Sequence, residues 1–308
     1  MATMTTASTT IAAEVRQAYD KALLLAARPE LVHCQFANKR PVPKGQGNII
    51  NLRRVELLTA QTTALTEGVT PSGSVLTVSN IPITVSQYGD YVAFSDKVTW
   101  QSIDPIVAET VKAQGQQAGN TLDQLARDSY ATGATVRYAN GAVSRVTVAA
   151  GSVMTGLEIK KAVRTLKKNN AKRINGYYTC IITPDTSMDI QGITEWLQVK
   201  EYSDRMDLYN GELGMLYGVR FVETTNAKIF AGQGAGGIDV HASLFFGADA
   251  FGSSEIDGEA LETMSHPLGS AGSGDPLNQR TTQGWKATWG STILNDLFVC
   301  RLEHAVTG

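Results

Sequence analysis

The residues in this chain best suited to chemistry are few and dispersed. Four histidines, His33, His241, His266 and His304, stand singly, and Cys34, Cys180 and Cys300 form no C-x-x-C pair. A zinc site or a disulfide framework needs closer spacing, so the thiols are expected to be small buried hydrophobes in a reducing cytoplasm. No Walker loop, G-x-S-x-G elbow or H-E-x-x-H helix occurs. No catalytic, cofactor-binding or metal-binding residue is therefore nominated. An enzyme with a dispersed site stays as a third reading, which predicts a small oligomer with a deep pocket.

Two segments imitate phosphate chemistry. Gly232-Gln-Gly234-Ala-Gly236-Gly237 has the glycines of a nucleotide loop, but such a loop must open a helix, and Asp239 to Phe246 has strand character. A flexible loop tip is expected there. The cations Lys160, Lys161, Arg164, Lys167, Lys168, Lys172 and Arg173 could meet phosphates. With no aromatic residue among them, a solvated helix face is the favoured reading. Arg53 and Arg54, in a strand-like segment, either pair with acids on a neighbouring chain or guard a strand edge.

Lys and Arg number 27 against 29 Asp and Glu, which excludes the strongly basic balance of a dedicated nucleic-acid binder. Any DNA contact should be local. The Thr-rich start lacks the pattern of a signal peptide, and no apolar run approaches the ~20 residues that span a bilayer. A soluble protein with no membrane partner is expected.

Periodicity gives the elements. Ile11, Val15, Tyr19, Ala22 and Ala26 recur at helical spacing from about Thr10 to Arg28, where Pro29 ends the pattern. The Pro- and Gly-marked stretch from Pro41 to Gly47 follows, so this helix reads as an arm on a linker, outside the core. Ile49 to Leu58 and Ile81 to Phe94 have strand character around the polar stretch Thr59 to Asn80, which predicts an extended ribbon with a loose tip. A lone two-stranded ribbon is marginal in water, and its edges invite another chain. Ile11, Val15, Tyr19, Arg53, Arg54, Ile81, Ile83, Val85 and Tyr88 are therefore candidate inter-subunit contacts.

Asp104-Pro105 opens a long helix to about Thr132, in which Gly115 and Gly119 mark close approach of another element. Val143 to Ala149 is strand-like. The capping box Thr155-Gly-Leu-Glu158 starts a helix that turns Ile159, Ala162, Val163 and Leu166 inward and ends on Lys167 and Lys168. A buried strand from Tyr177 to Thr183 precedes a helical stretch through Met188, Ile193, Trp196 and Leu197. Further strands are expected at Val219 to Glu223, Val240 to Phe246, Trp285 to Trp289 and Leu297 to Glu303. Helices and strands mix without a βαβ repeat, which makes the class α+β.

Gly211-Glu-Leu-Gly-Met-Leu-Tyr-Gly-Val-Arg-Phe-Val-Glu-Thr-Thr-Asn-Ala227 resembles the signature of the N-four-type major capsid family of tailed bacteriophages. In that signature a Gly-Glu-hydrophobic-Gly turn leads into a Gly-Val-Arg-Phe-Val-Glu strand. Ile181-Ile-Thr-Pro-Asp185 is similar to the family's strand-to-helix passage, with Thr183 where His often stands. Asp275-Pro-Leu-Asn-Gln-Arg280 followed by Gly284-Trp-Lys286 resembles its C-terminal signature, and Pro41 to Asn51 with Asp90 to Asp96 resembles the roots of its extended loop. On this resemblance Gly211, Glu212, Gly214, Gly218, Arg220, Glu223, Asp275, Pro276, Asn278 and Gln279 are structural motif residues.

The resemblance implies the tailed-phage major capsid fold, which encapsulin shells and the herpesvirus capsid floor share. Its parts fall at 1–47 (N-terminal arm), 48–97 (extended loop), 98–154 (peripheral domain with spine helix), 155–250 (axial domain) and 251–308 (return strands to the peripheral domain). It further implies an icosahedral shell of hexamers and pentamers, assembled in the host cytoplasm, around double-stranded DNA held non-specifically. The implied partners are copies of the same chain with portal, scaffolding or decoration proteins, and no cofactor. The runner-up is an encapsulin-like compartment enclosing enzymes.

Overall fold

The computed structural model describes residues 20–27, 31–41, 48–56, 58–101, 106–133, 135–193, 214–255, 261–270 and 274–307. A helix over 20–27, α1, precedes strands β1 (Asn38–Arg40), β2 (Ile49–Val55), β3 (Val78–Thr84) and β4 (Ser86–Ser95). Helices α2 (Asp96–Gln101) and α3 (Ile106–Tyr130) lead to β5 (Val136–Tyr138), α4 (Gly156–Lys168), β6 (Tyr178–Ile182) and α5 (Pro184–Gln191). Short strands β7 (Met215–Leu216), β8 (Val219–Glu223) and β9 (Ile229–Phe230) come next. The chain closes with β10 (Val240–Phe246), β11 (Phe251–Ser254), β12 (Leu261–His266), β13 (Arg280–Trp289), β14 (Ser291–Ile293) and β15 (Val299–His304).

One centre is a seven-stranded mixed sheet ordered β5-β15-β10-β6-β8-β7, with β9 on β10. Strands β6, β10 and β15 are buried along their whole length, as near-continuous apolar runs covered on both faces should be. Helix α4 packs here. The Thr155 hydroxyl accepts the Glu158 N–H at its start, and Ile159, Ala162, Val163 and Leu166 meet Cys180, Phe245 and Leu302 in one core.

The second centre sets α3 against the three-stranded sheet β12-β13-β4. The Gln114 side-chain amide donates to the Gln283 carbonyl at 2.7 Å, and the Trp285 indole donates to Gln117 Oε1 at 3.1 Å. Trp285, Ala287 and Trp289 share that core with Leu122 and Ala126.

Helix α1 joins the second core, which corrects the expected arm outside it for the described part. Leu23 and Ala27 are fully buried, whereas Ala22 and Ala26 of the expected stripe are half-buried. The physical reason is Gly115: a Cβ there would come 2.6 Å from Ala26 Cβ, so the missing side chain admits α1. Ile11, Val15, Tyr19, Asp104, Pro105, Trp196 and Leu197 lie outside the described residues.

Two other expectations change. Val143 to Ala149 is no strand: Ser144 and Thr147 close a capping box around the 3-10 turn Arg145–Thr147, with the Thr147 hydroxyl donating to the Ser144 carbonyl at 2.7 Å. The second arm of the ribbon divides at Val85, so β3 pairs with β2 whereas β4 crosses to β13.

Candidate assembly surface

Strands β2 and β3 form an antiparallel hairpin with Ile50 opposite Ile83 and Leu52 opposite Ile81. Period-two alternation buries Ile50, Leu52, Ile83 and Val85 in a small core with Leu294. The root is docked on its own chain: a Cβ on Gly252 would lie 2.6 Å from Leu52 Cδ1, and one on Gly290 would lie 2.9 Å from Ile83 Cγ2. Ile83 and Val85 are therefore engaged within the subunit, and Ile81 is partly so. Tyr88 packs against the α3 core. Arg54 donates to the Leu294 carbonyl at 3.1 Å and pairs with Glu56 at 3.5 Å. Of the ribbon residues nominated from sequence, Arg53 keeps an exposed side chain.

Past the last rung, where the Glu56 N–H donates to the Thr77 carbonyl at 3.0 Å, no described residue covers the hairpin tip. Every described residue from 55 to 78 is exposed, including Leu65 at 75% and Val75 at 86%. Glu56 and Glu67 are the only charges in that span. Exposed apolar side chains with so little charge leave this segment without the charges that usually protect a strand edge.

The family-motif residues turn out to shape turns. Tyr217 and Gly218, both at positive φ, join β7 to β8 across the Leu216 to Val219 rung, the geometry of a two-residue hairpin turn that requires glycine or its equivalents. Gly214 also has positive φ. Arg220 is exposed and donates to the Tyr177 hydroxyl at 3.3 Å, and Glu223 ends β8 exposed. Asp275 Oδ2 accepts the Arg280 N–H at 2.7 Å, Asn278 takes positive φ, and the Gln279 carbonyl accepts the Asp96 N–H at 2.9 Å. Pro276 sits exposed in that turn. Gly211 and Glu212 lie outside the described residues.

Sequence spacing missed the contacts of four buried polar residues, each of which has a partner far away in the chain. His33 is wholly buried, its Nδ1 2.9 Å from Asp123 Oδ2. Glu303, also buried, receives Arg145 through two nitrogens and Arg301 through one, each at 2.8 Å. His304 Nδ1 donates to the Ala305 carbonyl at 2.8 Å, which leaves Nε2 to accept the Ser243 hydroxyl at 2.9 Å. His241 faces His304 across the β10–β15 rung, and its Nδ1 lies 2.8 Å from the hydroxyl of Thr183, the departure noted above, which caps α5. Burial pushes both imidazoles down, His304 to about 4.

The same burial pushes the three thiols up, Cys300 to about 12. They are small core residues, as expected. The Gly232 to Gly237 segment leads into strand β10 and not into a helix, as expected; it is a turn with three positive-φ glycines, held by the Gly234 N–H on the Ile238 carbonyl and the Ala235 N–H on the Val148 carbonyl, each at 2.9 Å. Among the described residues no group of three or more His, Cys, Asp or Glu is placed to hold a metal ion, and no helix is long and apolar enough to cross a membrane.

The two cores and the exposed hairpin define an α+β subunit whose fold solved capsid structures share. The cyanophage P-SCSP1u capsid structure matches with a TM-score of 0.70 at 16% identity over 90% of this chain and 88% of that one. The capsid of Ralstonia phage GP4 gives 0.70 at 13% identity over 90% and 89%. The cyanophage Pam1 capsid gives 0.65 at 17% identity over 86% and 87%. No curated protein matches the sequence. The family model described as phage capsid protein matches residues 79–302, and the chain belongs to that family. It is a structural major capsid protein with the tailed-phage major capsid fold, a component of the virion capsid.

Proposed function

We propose that this chain assembles as hexamers and pentamers into an icosahedral shell around double-stranded DNA, in the host cytoplasm, with no catalytic step of its own. Portal, scaffolding or decoration proteins complete the particle. The observation that carries this reading is the hairpin: its root is fixed by Leu52 and Ile83 while its tip, from 58 to 77, is exposed throughout. A rigid root aims the tip outward, and a neighbouring subunit buries Leu65, Val69 and Val75. Arg53 and the segment containing Ile11, Val15 and Tyr19 add further contacts to that neighbour.

The separate packing of α3 and of α4 with its sheet supports a division into a peripheral domain with α3 as its spine and an axial domain around α4, although β5 and β15, from outside 155–250, join the seven-stranded sheet. Many modest contacts summed over a closed shell supply the assembly energy and leave single contacts reversible. Sedimentation of the purified chain tests this reading. Capsid-sized species support it, and a single small oligomer at every concentration overturns it.

A further inference from the structure

We infer that the outward face of α4 is a phosphate-backbone contact surface, which on the shell reading above lies against packaged double-stranded DNA. From residue 159 to 184 the chain holds Lys160, Lys161, Arg164, Lys167, Lys168, Lys172 and Arg173 and no Asp or Glu. The acid of α4 is Glu158, which is 4% exposed and occupied by Lys161 at 2.7 Å. Lys160, Arg164, Lys167, Lys168, Lys172 and Arg173 are all exposed. The whole chain carries a net charge of −2, so positive charge is segregated onto this face and balanced by acids elsewhere.

The aromatic residues missing from the run in sequence are supplied by the fold. The Lys160 ammonium lies 4.3 Å from the Tyr217 ring centroid, the Arg220 guanidinium 5.9 Å from that of Tyr177, and the Arg173 guanidinium 5.6 Å from that of Tyr178. The face is thus basic, with the half-buried rings of Tyr217 in the β7–β8 turn and Tyr177 just before β6 at its border and the buried Tyr178 ring beside Arg173.

The spacing suits a strand of phosphates. Lys160, Arg164 and Lys168 rise about 6 Å apart along the helix, close to every second phosphate of one DNA strand at about 3.4 Å per phosphate. Protein partners need an apolar centre in the interface, and on α4 the exposed positions offer a single large apolar side chain, Leu157 at 59%, beside the cations. Flexible lysine stems suit a contact that reads charge and no sequence.

The test is fluorescence anisotropy of the full-length protein with a DNA duplex of about 30 base pairs, titrated at about 50 to 200 mM salt. The variant R164Q/K167Q/K168Q/K172Q should flatten the slope of log affinity against log salt by about 3 to 4 and weaken binding more than tenfold at the lowest salt. The milder K167Q/K168Q should flatten it by about 2 and serves if the fourfold variant does not fold. K167R/K168R/K172R, which keeps the charge, should match the parent. An unchanged slope in the glutamine variants overturns the inference, and so does an unchanged slope accompanied by loss of closed particles, which assigns the face to a subunit contact. Particle sizing of the parent tests the shell reading separately, since the slope change is measured whether or not particles form.

Discussion

A Cβ placed on Gly115 of α3 would lie 2.7 Å from the Leu23 carbonyl oxygen of α1. The contact is backbone against backbone, so a flexible side-chain tip cannot move aside. In an isolated helix Gly→Ala stabilises by about 1 kcal/mol. Here the clash reverses the sign, and Gly115→Ala should destabilise by about 1 to 3 kcal/mol. Thermal unfolding checks this, and a variant that melts at or above the parent temperature refutes the seating of α1 against α3.

Glu303 is wholly buried between Arg145 and Arg301. Removing it leaves Arg301, 10% exposed, without its carboxylate. Glu303→Ala should cost about 3 to 5 kcal/mol, the range for breaking a buried ion pair from one side. Denaturant titration measures it. A loss well under 1 kcal/mol would mean the pair is solvated.

His304 gives the fold an acid-sensitive point. Its folded pKa of about 4 lies below the ordinary 6.5 because burial disfavours the charged ring. As pH falls the unfolded chain takes the proton first, so the stability is fully present above 6.5 and is lost toward 4, by at most roughly 3 kcal/mol. His241 is shifted in the same direction and adds to the effect. The neutral, hydrogen-bonding replacement His304→Gln should show a smaller drop in melting temperature between neutral and mildly acidic pH. Parallel pH profiles for the two proteins would rule out His304 as the source.

Local signals explain what was legible in the sequence. The capping box at Thr155, the inward row of α4 and the apolar runs of β6 and β10 are set by neighbours a few residues apart, and each formed where periodicity placed it. The hairpin was legible as a hairpin, but its docking was not. Arg54 reaches the carbonyl of Leu294, 240 residues away, and the glycines that admit Leu52 and Ile83 lie in β11 and beside β14. Strand β12 and the seating of α1 depend equally on distant partners: the Thr263 N–H of β12 donates to Asp20 Oδ1 at 2.9 Å. Ile83 and Val85, expected at a subunit contact, are buried within the subunit, because the same alternation that marks a ribbon also marks one side of it for burial at home.

Shell closure depends on the exposed hairpin tip, and electron microscopy of two proteins purified in parallel tests this most directly. One is the intact chain, and the other has residues 59–76 replaced by a short glycine-rich turn, which leaves the β2–β3 rungs and the Leu52–Leu294 contact in place. The intact chain should give closed, uniform shells, while the shortened one should remain folded by circular dichroism and form no closed shell. Shells of normal size from the shortened protein would contradict the role assigned to the hairpin.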